Sequence, residues 1–533
     1  MRIKHYDITA STLRDVIRER SSLGDKTFAI IDDESISYRD VCDSANRIGN
    51  SLLSLGVSKG DIVATYMHNS IDHIALWFGC ATIGAIWAPI NIALINMDLE
   101  YTLKISAPKV LVVDEELLPN YLAIRDRLSR PDCGEFVRGG SLDGFRDFSF
   151  LKRGDNTEPM ASVSWGDPAG LIYTGGSTGL PKGVLVSNGW YFPGFYRYKE
   201  MLEPDAADIH LGMGQMYHTI GSAVDIMAPF YWGLTTVLTR WFSASKFWKI
   251  VEKHKPSISV IIGPVIIALL SQPEKTEDSS NSLRLAGTGT GGIPREMIEA
   301  FQKRFRIDLL ELYGQTETGP LGCVSQRLHD RPYHSLGTAN GWAEIAVARQ
   351  DGTLCSANEI GEILLRPTYP GTFMLGYYGA PDKFAETCRD LWFHTGDLGH
   401  LDENGYLHFS GRVAHMIRRR GESVAAAEVE ATLLLHPGIE RCGVTGVPST
   451  MGDEDIKACI QLREGSKVTP LEILEFCEDK IAYFKVPRYI EFVDALPLSA
   501  TKGDVERYKL QETGVSGAWD RESIGYKVRR RAL

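Results

Sequence analysis

The stretch from Tyr173 to Val184 constrains this chain more than any other. It gathers Gly175, Gly176, Gly179 and Gly183 with Thr174, Ser177, Thr178 and Lys182. Such a loop has little to bury, and its glycines let several backbone N–H groups turn toward one point. With hydroxyls and an ammonium added, it is suited to wrapping a polyanion such as a nucleotide triphosphate. It differs from the loop in which Gly-Lys-Ser/Thr opens a helix. Here Pro181 precedes Lys182, Gly183 follows it, and Val184, Leu185 and Val186 read as a strand.

At 533 residues the chain is too long for one hydrophobic core and implies at least two domains. Strand-like runs alternate with helical patterns: Ile62–Tyr66, Val110–Val113 and Thr235–Leu238 read as buried strands, and Asp40–Leu55 as an amphipathic helix. This alternation indicates α/β layering with largely parallel sheets. Ile74 to Ile95 has no charged residue and is long enough to pass for a membrane span. Pro89 and Asn91 interrupt it, so the reading is a buried helix near Ile71–Ile83, a turn at Gly84 and a buried strand near Ile86–Ile90.

Near Glu362–Leu365 and Tyr406–Phe409 the pattern shortens to the strands of a small β subdomain, roughly 330–411. The expected fold is α/β: a large multi-sheet N-terminal domain over 1–411, then a small mobile α+β domain over 412–533. Helices are expected over Ala426–Leu435 and Pro470–Tyr483, and residues beyond about 511 are weakly patterned and expected to be loosely held.

A net charge of −11 argues against a nucleic-acid partner. The basic cluster Lys527 to Arg531 reads as a solvated tail. Nine cysteines without a C-x-x-C pair suit reduced, structural thiols, and the N-terminus has no apolar signal core, so a cytoplasmic location is expected.

Four further motifs accompany the phosphate loop: Gly287–Pro294, Tyr313–Gly319, Trp392–Gly399 and Gly411–Arg412. Together they resemble the adenylate-forming superfamily of acyl- and aryl-CoA ligases, peptide-synthetase adenylation domains and firefly luciferase. These enzymes join a carboxylate to AMP and then pass the acyl group to a thiol or oxidise it. Proteins assist such phosphoryl chemistry chiefly by positioning and charge neutralisation.

The resemblance implies that Thr174, Ser177, Thr178 and Lys182 hold the triphosphate. Tyr313 would stack on adenine beside Gly314 and Gly292, Thr316 would meet the α-phosphate, and Glu317 would help hold Mg²⁺. Asp397 would accept hydrogen bonds from the ribose hydroxyls, with Arg412 on the ribose or phosphate. His218, within Gln215–Gly221, would border the carboxylate site. Taken alone, a histidine flanked by apolar residues fits a packed core equally well.

The C-terminal domain departs from the pattern. The family ends in Leu-Pro-x-Thr-x-x-Gly-Lys, and that lysine bridges carboxylate and phosphate during adenylation. Here Leu496–Arg507 places Gly503 at that position when aligned on Leu496–Pro497, and Asp504 when aligned on Val505–Leu510. Losing one such contact costs about 10²–10³ in rate. Lys502 would substitute if the loop shifted by about 6–7 Å. The loop around Gly421, which approaches the adenylate during thioester formation, is retained. The hinge near 412–415 carries Ala414 where the family has Asp or Lys.

The leading expectation is a relative of acyl-CoA ligases that converts an acyl-adenylate and CoA into acyl-CoA, its own adenylation weak or absent. A partner ligase would then supply the adenylate. A complete ATP-dependent ligase using Lys502 and a non-catalytic adenylate-binding protein are the alternatives. Trp190, Tyr191, Phe192 and the apolar run Val260–Leu270 suit a pocket for a hydrophobic acid, and ordinary core suits them at least as well.

Overall fold

The computed structural model describes residues 12–533 apart from 175–180, 277, 290–294, 322–323, 327–328, 330–331, 333–334, 340, 413–415, 420–421, 450–453, 479, 482, 484, 500–504, 527 and 529–533. The described chain divides into two compact units. The first takes its residues from 1–290, 299–345 and 365–393, and the second from 291–298, 346–364 and 394–533.

The first unit contains two large mixed sheets. In one, Asp308–Tyr313, Leu285–Gly289, Ile258–Val260, Ile209–Gly212, Thr235–Leu238 and Thr27–Ile31 pair in parallel in that spatial order. Antiparallel strands extend it on both margins, Glu34–Ser37 on one and Val324–Ser325 then Thr338–Ala339 on the other. In the other sheet Pro168–Thr174, Ile86–Pro89, Ile62–Tyr66, Val110–Asp114, Gly134–Arg138 and Arg146–Asp147 are parallel neighbours. Lys182–Ser187 returns antiparallel to Pro168–Thr174, and Gly376–Tyr377 closes that edge. Ligands of open parallel sheets gather beyond the carboxyl ends of the strands. Gly212, Gly289, Tyr313 and Thr174 are the last residues of four of them, and each leads into a segment singled out from the sequence.

The uncharged run near residue 74 is core. Ile71–Ile83 is a helix that starts at Ser70, whose hydroxyl accepts from the His73 N–H, and ends at Gly84 in the left-handed conformation. Every residue of it but Asp72 is buried, and Ile86–Pro89 follows as a fully buried strand. Among the described residues no helix is long and apolar enough to cross a membrane.

In the second unit, Ile439–Pro448, Glu454–Leu462, Tyr489–Phe492 and Trp519–Asp520 form a four-stranded sheet. Val429 and Leu433 of the helix Ala426–Leu434 and Ile473 and Leu474 of the helix Pro470–Glu478 pack on Val444, Ile456 and Ile460 of that sheet. Contrary to expectation, the described residues just beyond 511 are anchored. Trp519–Asp520 pairs with Tyr489–Ile490, and buried Arg521 donates to the carbonyls of Val486 and Pro487. Hydropathy patterning missed them because they are anchored by one strand pair and an arginine rather than by an apolar stripe. Burial pushes the thiols of Cys42, Cys459 and Cys477 up to about 12.

Candidate active site

The strands Pro168–Thr174 and Lys182–Ser187, which flank the glycine-rich stretch, pair antiparallel. Thr174 and Lys182 face each other across their last rung, both half-buried. Ser177 and Thr178 lie outside the described residues. The Lys182 ammonium sits 5.4 Å from the centre of the Tyr377 ring, close enough for cation–π attraction. The Tyr377 hydroxyl donates to Glu317 Oε1 at 3.0 Å. Burial, with the negative charge of Glu317 beside it, holds the Tyr377 hydroxyl far above the ordinary phenol range, so it remains a donor. Ammonium, ring and carboxylate thus form one chain linking this strand pair to the Tyr313–Gly319 motif.

Glu317 is buried in a single 3₁₀ turn, Thr316–Thr318, directly after the strand Asp308–Tyr313. Gln315 and Thr318 cap that turn reciprocally, and the Glu317 carbonyl accepts from the Met374 N–H at 2.8 Å. Thr316 is held from two sides. Its carbonyl accepts from Trp190 Nε1 at 2.9 Å, and its hydroxyl lies 3.2 Å from that of Thr219. Tyr313 is buried at the strand end and Gly314 is exposed beside it.

His218 is half-buried, with its ring centre 4.6 Å from that of Tyr217. Its carbonyl accepts from the N–H and the hydroxyl of Ser222, both at 3.0 Å, at the opening of a π-helix over Ile220–Met227. Such widened turns recur at functional sites because the extra residue re-aims the chain. The neighbouring Thr219–Thr316 contact brings the His218 segment to the Glu317 turn, as the sequence motifs imply.

The aromatic trio follows the core alternative of its two readings. Trp190, Tyr191 and Phe192 are fully buried. Tyr191 packs between Trp77 and Trp190, and Phe192 lies against Phe195 and Trp165. They are core, and Trp190 acts on the site only through the Thr316 carbonyl. In the run Val260–Leu270, Ile262 and Ile267 are each 40% exposed, so apolar surface is presented there.

The second unit contains Asp397, buried in the strand Trp392–Leu401 and in register with Arg412 on the antiparallel strand Leu407–Arg412. The turn is built by its neighbours. Gly396 adopts a φ of 68°, its N–H donates to Glu362 Oε1 at 3.1 Å, and Glu362 Oε2 lies 2.8 Å from His394 Nδ1. The Thr395 hydroxyl bonds the Ile363 carbonyl at 2.7 Å and accepts from the Asp397 N–H at 3.0 Å.

Gly292, Ala414, Gly421, Lys502 and Asp504 lie outside the described residues. Both ends of the segment containing Lys502 and Asp504 are described, however. Leu498 and Val505 form an antiparallel bridge, and the Glu506 N–H donates to the Pro497 carbonyl at 2.8 Å. Val505 packs with Leu496, Leu510 and Cys459, and Arg507 makes a two-pronged ion pair with buried Glu430.

Sequence reasoning passed over Tyr377 and Thr219. The relation of Tyr377 to Glu317, sixty residues away, needs the fold. Thr219 stood inside a noted motif, adjacent to His218, and a second hydroxyl there was the available signal.

The family model described as AMP-binding enzyme matches residues 18–378, and that of the AMP-binding enzyme C-terminal domain matches 428–502. A crotonobetaine/carnitine–CoA ligase of Shigella dysenteriae is 33% identical over 486 residues, covering 89% of this chain and 93% of its own. An anthranilate CoA ligase solved with anthranoyl-AMP is 28% identical, with a TM-score of 0.86 over 96% of this chain and 98% of its own. An o-succinylbenzoate CoA synthetase from Bacillus subtilis shares the fold at 24% identity, with a TM-score of 0.81 over 93% of this chain and 97% of its own.

Proposed function

The chain belongs to the AMP-binding enzymes, the adenylate-forming acid–thiol ligases, and on that premise we propose that it makes an acyl-CoA from an acyl-adenylate and CoA, with its own ATP-dependent adenylation weak. The observation that carries this reading is the contrast between an intact Thr316–Glu317–Tyr377–Lys182 chain and a C-terminal segment whose lysine position holds Gly503 or Asp504.

CoA sulfur attacks the acyl carbon of the adenylate, the acyl–phosphate oxygen bond breaks, and AMP leaves with the electron pair. The thiol proton goes to solvent or to a site base. In this reading Thr316 contacts the α-phosphate, Lys182 and Thr174 balance phosphate charge, Asp397 and Arg412 take the ribose, and His218 borders the acyl carbonyl. Gly421 allows the close approach of the thioester-forming loop, and the hinge near Ala414 carries the domain rotation. Adenylation asks for more. Carboxylate and α-phosphate are both anionic, and without a bridging cation their approach is unfavourable, by about 10²–10³ in rate.

Among the described residues no cluster of three metal-ligating side chains gathers, so Mg²⁺ would rest on Glu317, phosphate oxygens and water. It would neutralise phosphate charge.

The second reading, a complete ligase, rests on Lys502. It lies within the segment closed by Leu498 and Val505, at the last residue matched by the C-terminal family model. The substrate class is a small carboxylic acid, the class of the acids named for the relatives.

The test pairs two reactions across benzoate, hexanoate and crotonobetaine. One supplies acid, MgATP and CoA, and the other the preformed adenylate and CoA. Acyl-CoA from the adenylate at least about a hundredfold faster than from the acid supports the proposal. Equal rates, abolished for the first reaction by K502A, establish the complete ligase. No product from either overturns both.

A further inference from the structure

Two side chains from separate elements, Asp225 and Asn69, converge on the backbone of the segment that carries His218, and His210 and Tyr198 back the first of them. Asp225, inside the π-helix, accepts from the Gly214 N–H through Oδ2 at 2.8 Å. Its Oδ1 lies 2.9 Å from His210 Nε2, and His210 Nδ1 lies 2.8 Å from the Tyr198 hydroxyl. Asp225, His210 and Tyr198 have no solvent exposure. An ionised Asp225 only accepts, so Nε2 of His210 carries the proton and Nδ1 accepts from Tyr198. The carboxylate is thereby held by two donors, one of them a backbone amide.

Asn69 approaches from the other large sheet of the first unit. It follows the strand Ile62–Tyr66, is itself buried, and donates to the carbonyls of Gly214 and Thr239 at 2.9 and 3.1 Å. Its oxygen accepts from the Met216 N–H at 2.9 Å. Three backbone groups of the segment Gly214–Met216 are therefore tied to two side chains. The segment also has no room to relax. A Cβ on Gly214 would meet Gly221 at 2.6 Å, and one on Gly221 would meet the Gln215 carbonyl at 2.1 Å. Three and five residues beyond Gly214 come Tyr217 and Thr219, the latter 3.2 Å from the Thr316 hydroxyl.

Burying an ionisable pair is expensive, and a hydrophobic pair of similar volume would pack as well. Burial raises the Asp225 carboxyl against the lowering pull of His210 and Gly214. A purely structural core has no need of that expense at one glycine amide.

We propose that Asp225 and Asn69 are positioning residues that clamp Gly214–Met216, so that His218 stands at the acyl-carboxylate site and Thr219 braces Thr316. The roles of His218 and Thr316 rest on the ligase reading, but the clamp does not.

The test uses full-length D225A, N69A and D225N. In D225N the amide oxygen still accepts from Gly214, while its NH₂ donates to a His210 that has switched tautomer. Amide hydrogen exchange over 214–219 is expected to quicken about tenfold in D225A and N69A and to stay within about twofold in D225N. The strand Leu285–Gly289 serves as the unchanged reference. With the fastest of the benzoyl, hexanoyl and crotonobetainyl adenylates, kcat falls about tenfold or more in D225A and N69A at an unchanged KM for CoA, and D225N restores it. Folded D225A and N69A proteins with unchanged exchange overturn the clamp. Faster exchange with unchanged kcat overturns the positioning role. If the wild type forms no product, that failure falls on the ligase reading alone, and the exchange result still decides the clamp.

Discussion

The Glu317 turn and the segment between Leu498 and Val505 are both short connections pinned at their ends, yet they differ in what the pinning preserves. Around Glu317, the capping of Thr316–Thr318, the Trp190 bond to Thr316 and the Tyr377 bond to Glu317 fix the chemical groups themselves. At the C-terminal segment, the described contacts, the Leu498–Val505 bridge and the Arg507–Glu430 pair, hold the two ends, and the proposed loss of the lysine falls between them. A frame held by packing and ion pairs tolerates replacement of the charge it presents. A turn whose own side chains also carry the hydrogen bonds does not.

The strongest way to break the comparison is at Glu317. Replacing it by alanine removes the carboxylate and leaves the buried Tyr377 hydroxyl without its acceptor. Acyl-CoA formation from the adenylate is expected to fall about 10²–10³-fold, and a loss under threefold would show that the turn is not catalytic.

Next is the frame. Arg507→Ala strands Glu430, whose side chain is 11% exposed against 18% for Arg507, and is expected to destabilise the protein by about 3 kcal/mol in denaturant titrations. Burial already raises the Glu430 carboxyl, with Arg507 opposing, so removing Arg507 raises it further. A carboxyl with its folded pKa above the unfolded value is least costly when protonated. The R507A penalty should therefore be small below about pH 4 and grow as pH rises through the folded pKa. A penalty independent of pH would mean that the pair is not what anchors the segment.

Tyr377→Phe removes one charge-assisted hydrogen bond and keeps the ring under Lys182. Thioester formation should drop about tenfold with little change in melting temperature. The smallest effect is expected at Trp190→Phe, which loses the bond to the Thr316 carbonyl in an otherwise retained aromatic core. It should cost about 1 kcal/mol of stability and a few-fold in rate.

Much of the fold was legible because its signals are local. The helix at Ile71–Ile83 matches its expected limits, since Ser70 and Gly84 mark both ends in sequence as well as in space. Thr235–Leu238 and Ile62–Tyr66 were legible as short apolar runs, and the helix expected over Asp40–Leu55 runs from Tyr38 to Ser54 behind the Ser37 cap. The turns at Thr316–Thr318 and Gly396 were legible because a contiguous string supplies each of them. Tyr377, Asn69 and Asp225 were not, because each acts on a residue that is distant in sequence or through a backbone group that any residue would provide. Trp190–Phe192 left two readings open for a related reason: aromatic density says that a segment is buried without saying against what. The tail beyond 511 escaped because its anchors, Arg521 and the Trp519–Asp520 pairing, are polar or backbone contacts.

The central claim, that adenylation is limited by the residue at the lysine position, is most directly tested by ATP–pyrophosphate exchange in the wild type and in D504K, with benzoate, hexanoate and crotonobetaine as acids. The account predicts weak exchange in the wild type and a gain of about a hundredfold in D504K, while thioester formation from the adenylate is unchanged. Brisk exchange in the wild type, or none gained in D504K, would contradict it.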